Sequence, residues 1–466
     1  MIRYIRRFIR LDEVLLLILV FMLFAVGYIQ LVLGTNSAEL VPTARGILQV
    51  LWPSSLPLLC FIGMSFLIHR FQPNIDQLLL PLTAFLSGMG LLFTSRLAPS
   101  LAVLYPDTYP DVDSRQAMWI MLGLVVFGVI VLVPWDDILL KRTRMSLIDH
   151  MAHYRYAWLS IGMLLIVATL FFGTDPNQSG VRAWLTVGPI TFQPSELLKI
   201  VLVIFLASYL DERRGQLVSG MEWFGIKLPS LAAMLPLLLM WGIAMALIVI
   251  QRDLGAALML FSVFLAMIYV ATGRGLYAGG GLLAFLVGAY ALHHFLPIVQ
   301  LRVALWLDPW LQERGYQSIQ AMYALASGGI WGSGIGRGMP AIVPASHTDY
   351  IFTSIGEELG LLGAVGVLLA YLLFAVRGYG IAMRLAGEYS TFEQLLVVGL
   401  TTILVIQAFI IIGGNLRLIP LTGITMPFVS YGGSAVLMNF VVMGLLARLS
   451  INQKPLHAVI VRSAKP

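Results

Sequence analysis

The chain has 466 residues, of which 59% are hydrophobic and 11% are charged. Soluble domains carry charge on roughly a quarter of their residues, so this composition excludes an ordinary soluble protein. The 29 basic residues outnumber the 23 acidic residues, which gives a formal net charge of +6. The single cysteine, Cys60, can form no intrachain disulfide, and no Cys/His cluster in the sequence predicts a zinc site.

Apolar runs of about 20 residues recur along the chain, and a helix of that length crosses a hydrocarbon core of roughly 30 Å. Backbone amides find no water inside lipid, so these runs must be helical. The sequence therefore predicts an all-α, polytopic integral membrane protein with about 10–12 transmembrane helices. We place the segments near Val20, Leu59, Phe85, Val125, Leu164, Val203, Leu238, Val263, Leu286, Val365, Leu404 and Val442.

The distribution of basic residues predicts the orientation. The first apolar stretch, residues 14–33, is longer than a signal-peptide core, so we interpret it as an uncleaved signal anchor. With the N-terminus inside, the cytoplasmic loops and tail hold most of the Lys and Arg residues, as the positive-inside rule requires. An even helix count then places both termini in the cytoplasm. The net charge reflects this topology, and we predict no nucleic-acid partner.

The predicted organisation has three parts. Residues 1–150 hold four apolar segments, whereas polar and glycine-rich motifs recur over residues 151–450. Residues 451–466 are predicted to form a cytoplasmic tail. The longest stretch without a spanning segment, about residues 296–356, is predicted to be one large extracytoplasmic loop with structure or function of its own.

The first outer motif combines aromatic and ionisable residues. It comprises Gly180, Arg182, Trp184, Gly188, Gln193, Pro194, Glu196 and Lys199. Pro194 suits the first turn of a helix, and Glu196 suits its positive end. Glu196 and Lys199 share a helix face, where they form either a local ion pair or part of a functional site.

The second motif, residues 251–255, lies between two apolar runs with almost no loop. Low dielectric at the membrane boundary raises the pKa of a carboxyl group, and a neighbouring basic residue lowers it again. Asp253 beside Arg252 therefore suits a general base. The alternative is that Asp253 only caps the next helix.

The third motif lies in the predicted large loop. Gln317 and Gln320 place two amides three residues apart, and a glycine string follows at residues 327–338. The string follows no strand and lacks the Walker lysine, so it does not predict a nucleotide loop. We interpret it as backbone that passes close to another helix or to a substrate.

Two further groups of polar residues precede spanning segments. His347, Thr348 and Asp349 either cap the following helix or belong to a site, and for Thr348 the cap is the favoured interpretation. Farther on, prolines and glycines interrupt the apolar pattern around Ser430 and Tyr431. Irregular backbone at membrane depth is tolerated where protein buries it or it lines a wet cavity, which predicts a cavity here.

These motifs together resemble the SEDS family (shape, elongation, division and sporulation), which includes RodA, FtsW and SpoVE. The resemblance covers about residues 151–450. It rests on five motifs in order: QPSE-x-x-K at 193–199, Q-x-DLG at 251–255, GYQ-x-x-Q at 315–320, HTD-x-IF-x-x-IGEELG at 347–360 and TGI-x-x-PF-x-SYGGS at 422–434.

The resemblance implies a peptidoglycan glycosyltransferase of the bacterial cytoplasmic membrane, which polymerises lipid II into glycan strands on the outer face. It also implies a class B penicillin-binding protein as partner, with membrane lipids around both. Family members usually have ten spanning helices, so twelve segments suggest a two-helix N-terminal extension and a core that begins near residue 75 or later. The motif wording favours an elongation role over division.

The resemblance assigns catalysis to Asp253, which would deprotonate the acceptor 4-hydroxyl while the donor pyrophosphate leaves with inversion. Predicted substrate-binding residues are Arg182, Trp184, Gln193, Glu196, Lys199, Arg252, Gln317, Gln320, His347, Thr348, Asp349, Ser430 and Tyr431. The basic members of the first two motifs would stabilise the departing charge. No metal ligands are predicted, and a divalent cation, Mg²⁺ or Mn²⁺, is the one cofactor considered.

Three positions depart from the family pattern. Arg252 stands where the family often has proline, and Ala183 stands where a basic residue often precedes the tryptophan. Ala345 or Ser346 replaces an acidic residue common before the HTD motif.

Two alternative functions remain open at this stage. A lipid II flippase would also need intramembrane charge, but it predicts polar groups accessible from both faces of the membrane. A non-catalytic scaffold predicts that replacing Asp253 leaves function intact.

Overall fold

The computed structural model describes residues 10–35, 44–106, 109, 111–175, 182–188, 190–218, 222–223, 226–227, 230–386 and 391–451. Gly180 of the first motif lies outside the described residues. So does the predicted cytoplasmic tail, apart from Ile451.

Helices dominate the described chain. They are α1 (Leu11–Thr35), α2 (Ala44–Phe71), α3 (Leu79–Leu104), α4 (Val112–Leu132), α5 (Trp135–Thr143), α6 (Leu147–His153), α7 (Arg155–Phe172), α8 (Pro194–Val218), α9 (Leu231–Ile250), α10 (Leu254–Thr272), α11 (Gly275–Phe295), α12 (Pro297–Leu307), α13 (Tyr316–Gly328), α14 (Ile351–Leu385), α15 (Thr391–Asn415) and α16 (Gly433–Leu449).

All twelve predicted segments lie within helices. Nine helices in the described ranges are long and apolar enough to cross a membrane. The other three segments lie in α2, in α16, whose apolar stretch has 17 residues, and in α8, which carries charged side chains at both ends. The prediction of a polytopic helical membrane protein is confirmed.

Two features of the connections differ from the prediction. The stretch at 296–356, predicted to be a loop with structure or function of its own, contains α12, α13 and a 3₁₀ turn (Pro340–Ile342), and α14 begins inside its predicted bounds, at Ile351. Short antiparallel hairpins also interrupt the all-α pattern: β1 (Leu185–Val187) pairs with β2 (Ile190–Phe192), and β3 (Glu222–Trp223) pairs with β4 (Ile226–Lys227). Strands of two or three residues are too short to show an alternating pattern in the sequence.

The chain packs as two units. Of the described residues, unit 1 comprises those within 10–133, 301–374 and 407–451, and unit 2 comprises those within 134–300 and 375–406. In unit 1, Phe24 of α1 is fully buried against Phe85 of α3, with ring centroids 6.0 Å apart. Phe61 of α2 meets Phe440 of α16 at 6.2 Å. In unit 2, the core lies along α8, where Phe205 is fully buried.

A buried ion pair lies at the end of unit 1 where α1 begins. Arg10 and Glu13 are 4% and 0% exposed and form the pair at the start of α1. The Arg10 guanidinium donates to the carbonyls of Pro73 (3.0 Å) and Ile75 (2.9 Å), and the Ser65 hydroxyl donates to Glu13 (2.5 Å). This cluster joins α1, α2 and the turn before α3, so the first helix is held by the core of the unit.

We predict that Glu13→Gln lowers the free energy of unfolding by about 3–5 kcal/mol, because it leaves the buried Arg10 charge uncompensated. The measurement is thermal or denaturant unfolding of the purified protein in detergent. Glu212→Gln is the matched control, since Glu212 is 47% exposed where it pairs with Arg155; its change should be at most about 1 kcal/mol. Equal effects of the two substitutions would contradict the assignment.

Candidate functional site

The α9–α10 turn in unit 2 positions Asp253. Helix α9 ends at Ile250 and α10 begins at Leu254, so three residues make the turn. The Asp253 carboxylate accepts a hydrogen bond from the Ala256 amide (3.0 Å), which confirms that it caps α10. Gln251 is buried and donates to the Ile166 carbonyl (3.2 Å) and to the Thr169 hydroxyl of α7. The turn is therefore anchored to a neighbouring helix.

Gln193 brings the first motif to Asp253. Its side-chain amide lies 3.5 Å from the second carboxylate oxygen of Asp253, while the first oxygen faces Ala256. Gln193 immediately precedes α8, which begins at Pro194 as the sequence predicted. The QPSE and DLG motifs, which are 60 residues apart in the chain, thus meet in unit 2.

Glu196 and Lys199 form the predicted ion pair on α8, with Nζ and Oε2 2.5 Å apart. The Lys199 side chain is fully buried, whereas that of Glu196 is 13% exposed. Burying an ammonium group is costly unless it is paired, so Glu196 stabilises the charged lysine in place. This geometry agrees with Glu196 as a residue that orients Lys199.

The first motif's other members lie on the loop before α8. Trp184 pairs with Thr174 through two main-chain hydrogen bonds, and this isolated bridge adjoins the start of β1. Arg182 is exposed just before the bridge, and the buried Ala183 separates the two. Trp184 is half-buried. A cation and an indole are thereby presented beside the amino end of α8.

Arg252 has an unusual backbone. Its φ is +65°, in the left-handed region, and its amide donates to the Val249 carbonyl (2.9 Å). Proline can supply neither this φ nor the N–H donor. The turn therefore cannot be built in this form with the proline that the family often has here.

In unit 1, the turn at residues 345–350, which we call the HTD turn, is hydrogen-bonded to residues 426–431, the segment before α16. The Ser430 hydroxyl donates to the Thr348 carbonyl (2.6 Å) and accepts from the Met426 amide (2.8 Å). The Tyr431 amide donates to the His347 carbonyl (2.9 Å). These bonds satisfy an irregular backbone without water, as membrane depth demands. The Thr348 hydroxyl donates to the Ala345 carbonyl (3.3 Å) within this turn, so the predicted cap of α14 is wrong for Thr348.

His347 is buried beneath aromatic rings. It is 3% exposed and lies edge-on to Tyr109, with centroids 4.5 Å apart, and 5.9 Å from Tyr431. Within the described ranges neither ring nitrogen has a hydrogen-bond partner. Burial lowers the pKa of His347 from 6.5 to about 4 and raises those of Tyr109 and Tyr431, so all three are neutral at pH 7.

Asp349 lies beside a basic residue that the sequence did not single out. The Asn415 side chain donates to the Asp349 carbonyl (2.8 Å), and Arg302 donates to the Thr422 carbonyl (2.8 Å). A Cβ added to Gly423, whose φ is +74°, would lie 3.5 Å from the Asp349 carboxylate and 3.9 Å from Arg302. The positive φ favours glycine at this position, whereas the two charged groups would make only ordinary contacts with a Cβ.

The two glutamines of the third motif lie on one face of α13. Gln317 donates to the Pro344 carbonyl (2.8 Å), and this bond holds α13 to the segment that leads into the HTD turn. Gln320 follows one turn later and is half-buried. Sequence reasoning missed Tyr109 and Arg302 because single Tyr and Arg residues near apolar segments match no motif.

Comparison with known proteins decides the family. The sequence model of the FtsW/RodA/SpoVE cell cycle proteins matches residues 77–455. The chain belongs to this family. RodA of Mycobacterium tuberculosis, a peptidoglycan glycosyltransferase, is 36% identical over 424 residues, which cover 89% of this chain and 87% of RodA.

Solved structures of family members have the same fold. A chain from a peptidoglycan synthase complex that coordinates polymerization and crosslinking superimposes with a TM-score of 0.62 at 27% identity, covering 82% of this chain and 99% of that chain. The rod shape determining protein RodA of Thermus thermophilus gives a TM-score of 0.53 at 24% identity, covering 82% and 98%.

We predict that Arg252→Pro destabilises the protein by about 3 kcal/mol or more, through the lost N–H and the forbidden φ. Arg252→Gly should be neutral or stabilising by about 1 kcal/mol, because glycine adopts φ near +65° without strain. Unfolding curves of the two variants test this. A proline variant as stable as the glycine variant would mean that the turn has another conformation.

We predict that His347 makes stability depend on acid pH. The unfolded chain binds the His347 proton more tightly than the folded protein does. The free energy of unfolding is therefore unaffected by this group above about pH 6.5 and falls by about 3 kcal/mol as the pH drops to about 4. His347→Phe keeps an aromatic ring and should flatten the decline in melting temperature over that window. The expectation fails if both proteins lose stability in parallel.

Proposed function

We propose that this chain is a peptidoglycan glycosyltransferase that joins lipid-linked disaccharides into glycan strands. The observation that carries the proposal is the placement of Asp253: its carboxylate caps α10, faces Gln193 and sits on a turn anchored to α7. Family membership over residues 77–455 and the activity of the M. tuberculosis relative support the same conclusion.

Asp253 acts as general base. It takes the proton from the 4-hydroxyl of the acceptor sugar, and that oxygen forms a bond to the anomeric carbon of the donor. The bond from this carbon to the pyrophosphate oxygen breaks on the opposite face, so the configuration inverts. The electron pair leaves with the lipid pyrophosphate, and the proton stays on Asp253. Fixing the carboxylate by its cap keeps it oriented for this transfer.

Negative charge grows on the departing pyrophosphate, and cations near the base stabilise it. Arg182 and Arg252 are exposed in unit 2, and Lys199 is a buried, preorganised charge. Glu196 orients Lys199. In the described residues no group of three or more His, Cys, Asp or Glu side chains could hold a metal. A Mg²⁺ or Mn²⁺ ion would accompany the substrate pyrophosphate and offset its negative charge.

The unit 1 residues that we assign to substrate binding are Gln317, Gln320, His347, Thr348, Asp349, Ser430 and Tyr431. The buried members, His347 and Ser430, act by holding the HTD turn to the segment before α16. Asp349 and Tyr431 are only partly buried, so their side chains can be reached by sugar or peptide groups.

The substrate is lipid II, the membrane is the bacterial cytoplasmic membrane, and the reaction takes place on its outer face. Contacts in unit 1 support an outer position for its glycine string at residues 327–338. Gly34, at the end of α1, lies against Gly336, while Arg10, at its start, lies with Pro73 and Ile75 at the opposite end of the helix. The positive-inside bias assigns the Arg10 end to the cytoplasm.

The partner is a class B penicillin-binding protein, which crosslinks the strands. The structural match to a synthase complex that coordinates polymerization with crosslinking supports this assignment. A flippase or a scaffold would share the fold, so the experiment must separate chemistry from transport and from assembly.

We predict that Asp253→Asn lowers lipid II polymerisation by at least about 100-fold. Asparagine still accepts the Ala256 hydrogen bond, so α10 keeps its cap and the loss reports the base. The measurement is polymer length and yield from purified protein with lipid II, with and without the partner. Glu313→Gln, at an exposed loop carboxylate, is the control and should retain wild-type yield.

Equal polymer from wild type and Asp253→Asn would remove Asp253 from the chemistry. No polymer from the wild type with partner present, together with lipid II translocation in vesicles, would favour the flippase. Chelation of divalent cations in the same assay tests whether the pyrophosphate needs a metal companion.

A further inference from the structure

Helix α1 lies outside the family match, which begins at residue 77. It is nevertheless not a separate membrane anchor. Phe24 and Tyr28 are buried in unit 1, whereas Leu19 and Met22 are more than half exposed, so one face of α1 packs on the unit and the other faces outward. The Tyr28 hydroxyl lies 3.5 Å from that of Ser95 on α3.

The carboxyl end of α1 packs directly on the glycine string. A Cβ added to Gly34 would lie 2.5 Å from the Ile335 carbonyl oxygen and 3.2 Å from the Gly336 Cα. In the reverse direction, a Cβ on Gly336 would lie 3.3 Å from both the Gly34 Cα and the Leu31 carbonyl oxygen. Backbone meets backbone, which only glycine permits at this separation.

The opposite side of the string is held by buried carboxylates of α14. Glu358 accepts from the Gly336 amide (3.1 Å), and Glu357 accepts from the Met339 amide (2.6 Å). Arg96 binds both the Glu358 carboxylate and the Gly338 carbonyl, each at 2.8 Å. The string is therefore enclosed between α1 and α14.

The chain leaves this enclosure toward the HTD turn. After Met339 it forms the 3₁₀ turn at 340–342, where Ala341, like Tyr109 and Tyr431, packs against the buried cluster of Leu97, Leu101 and Val112. His347 follows under the same two tyrosines. A shift of Gly336 would move the start of this segment, since few residues separate it from the turn.

We infer that α1 is a positioning element for the outer loops of this chain. Through the contact of Gly34 with Ile335 and Gly336 it fixes the glycine string, and through the string it fixes the HTD turn. The inference rests on the proposed function for its activity readout, but not for its structural readout. Family members that consist of the matched core alone would lack this support.

The test uses the full-length protein with Gly34→Ala and Gly34→Val, whose added methyl groups push on the Ile335 carbonyl. The control is Gly63→Val on α2, because a Cβ at Gly63 has nothing within 4 Å. Hydrogen–deuterium exchange over residues 332–350 measures how often the loop opens in the absence of substrate. Lipid II polymerisation gives kcat and KM. Melting temperature reports general damage.

We expect faster exchange at 332–350 and a fall in kcat/KM of at least about tenfold for Gly34→Val, with Gly34→Ala between it and wild type. Gly63→Val should leave all readouts unchanged. Ile335→Ala removes the loop side chain that lies against α1, where a Cβ added to Gly27 would be 3.7 Å from the Ile335 Cδ1, and it adds no clash. This variant should also speed exchange, and it serves as the test if Gly34→Val fails to fold.

Wild-type exchange over 332–350 in both Gly34→Val and Ile335→Ala would overturn the inference. So would a lower melting temperature with unchanged exchange and unchanged kcat/KM, which would leave α1 a purely stabilising helix. If the wild type makes no polymer, the proposed function fails, and the exchange data alone still decide whether α1 positions the loop.

Discussion

Every backbone N–H and C=O that leaves a helix inside a membrane protein must find a partner other than water. This constraint shapes the irregular parts of the chain. At Gly360 the helix α14 is interrupted, with φ +67°, and the amides of Leu361 and Ser333 bond across to Gly329 and Glu357. Glu358, paired with Arg96, accepts a hydrogen bond from the Gly336 amide of the glycine string, and Arg96 donates to the Gly338 carbonyl. The functional motifs occur where such irregular backbone is satisfied by buried side chains.

The same logic explains why so many motif residues are buried. Ser430 and His347 were singled out for polarity, yet both are almost inaccessible. Their contribution is to hold chain segments together so that partly exposed neighbours are fixed. In unit 2, Gln251 does the same for the turn that carries Asp253. Preorganisation of this kind reduces the motion that a reacting group must lose.

The sequence was sufficient for the helices because apolar runs of spanning length permit only one backbone conformation in lipid. It also located the Asp253 turn, since two apolar runs with no loop between them must reverse at that point. It could not show that Gly336 lies against Gly34, because a contact between residues 302 positions apart leaves no local pattern. The hairpins and the 3₁₀ turn could not be predicted for the opposite reason, since each is too short to show a periodic pattern of apolar residues.

The ion pair at the start of α1 has a consequence for biosynthesis. Arg10 and Glu13 are synthesised before the carbonyls that Arg10 binds, which belong to residues 63 and 65 positions later. Asp76, in the same turn, is joined to Ser450, 374 residues farther on. The buried setting of the ion pair is therefore complete only after α2 and the turn before α3 have been made. Contacts made by the first and the last helix therefore form at the same end of unit 1, in the turn before α3.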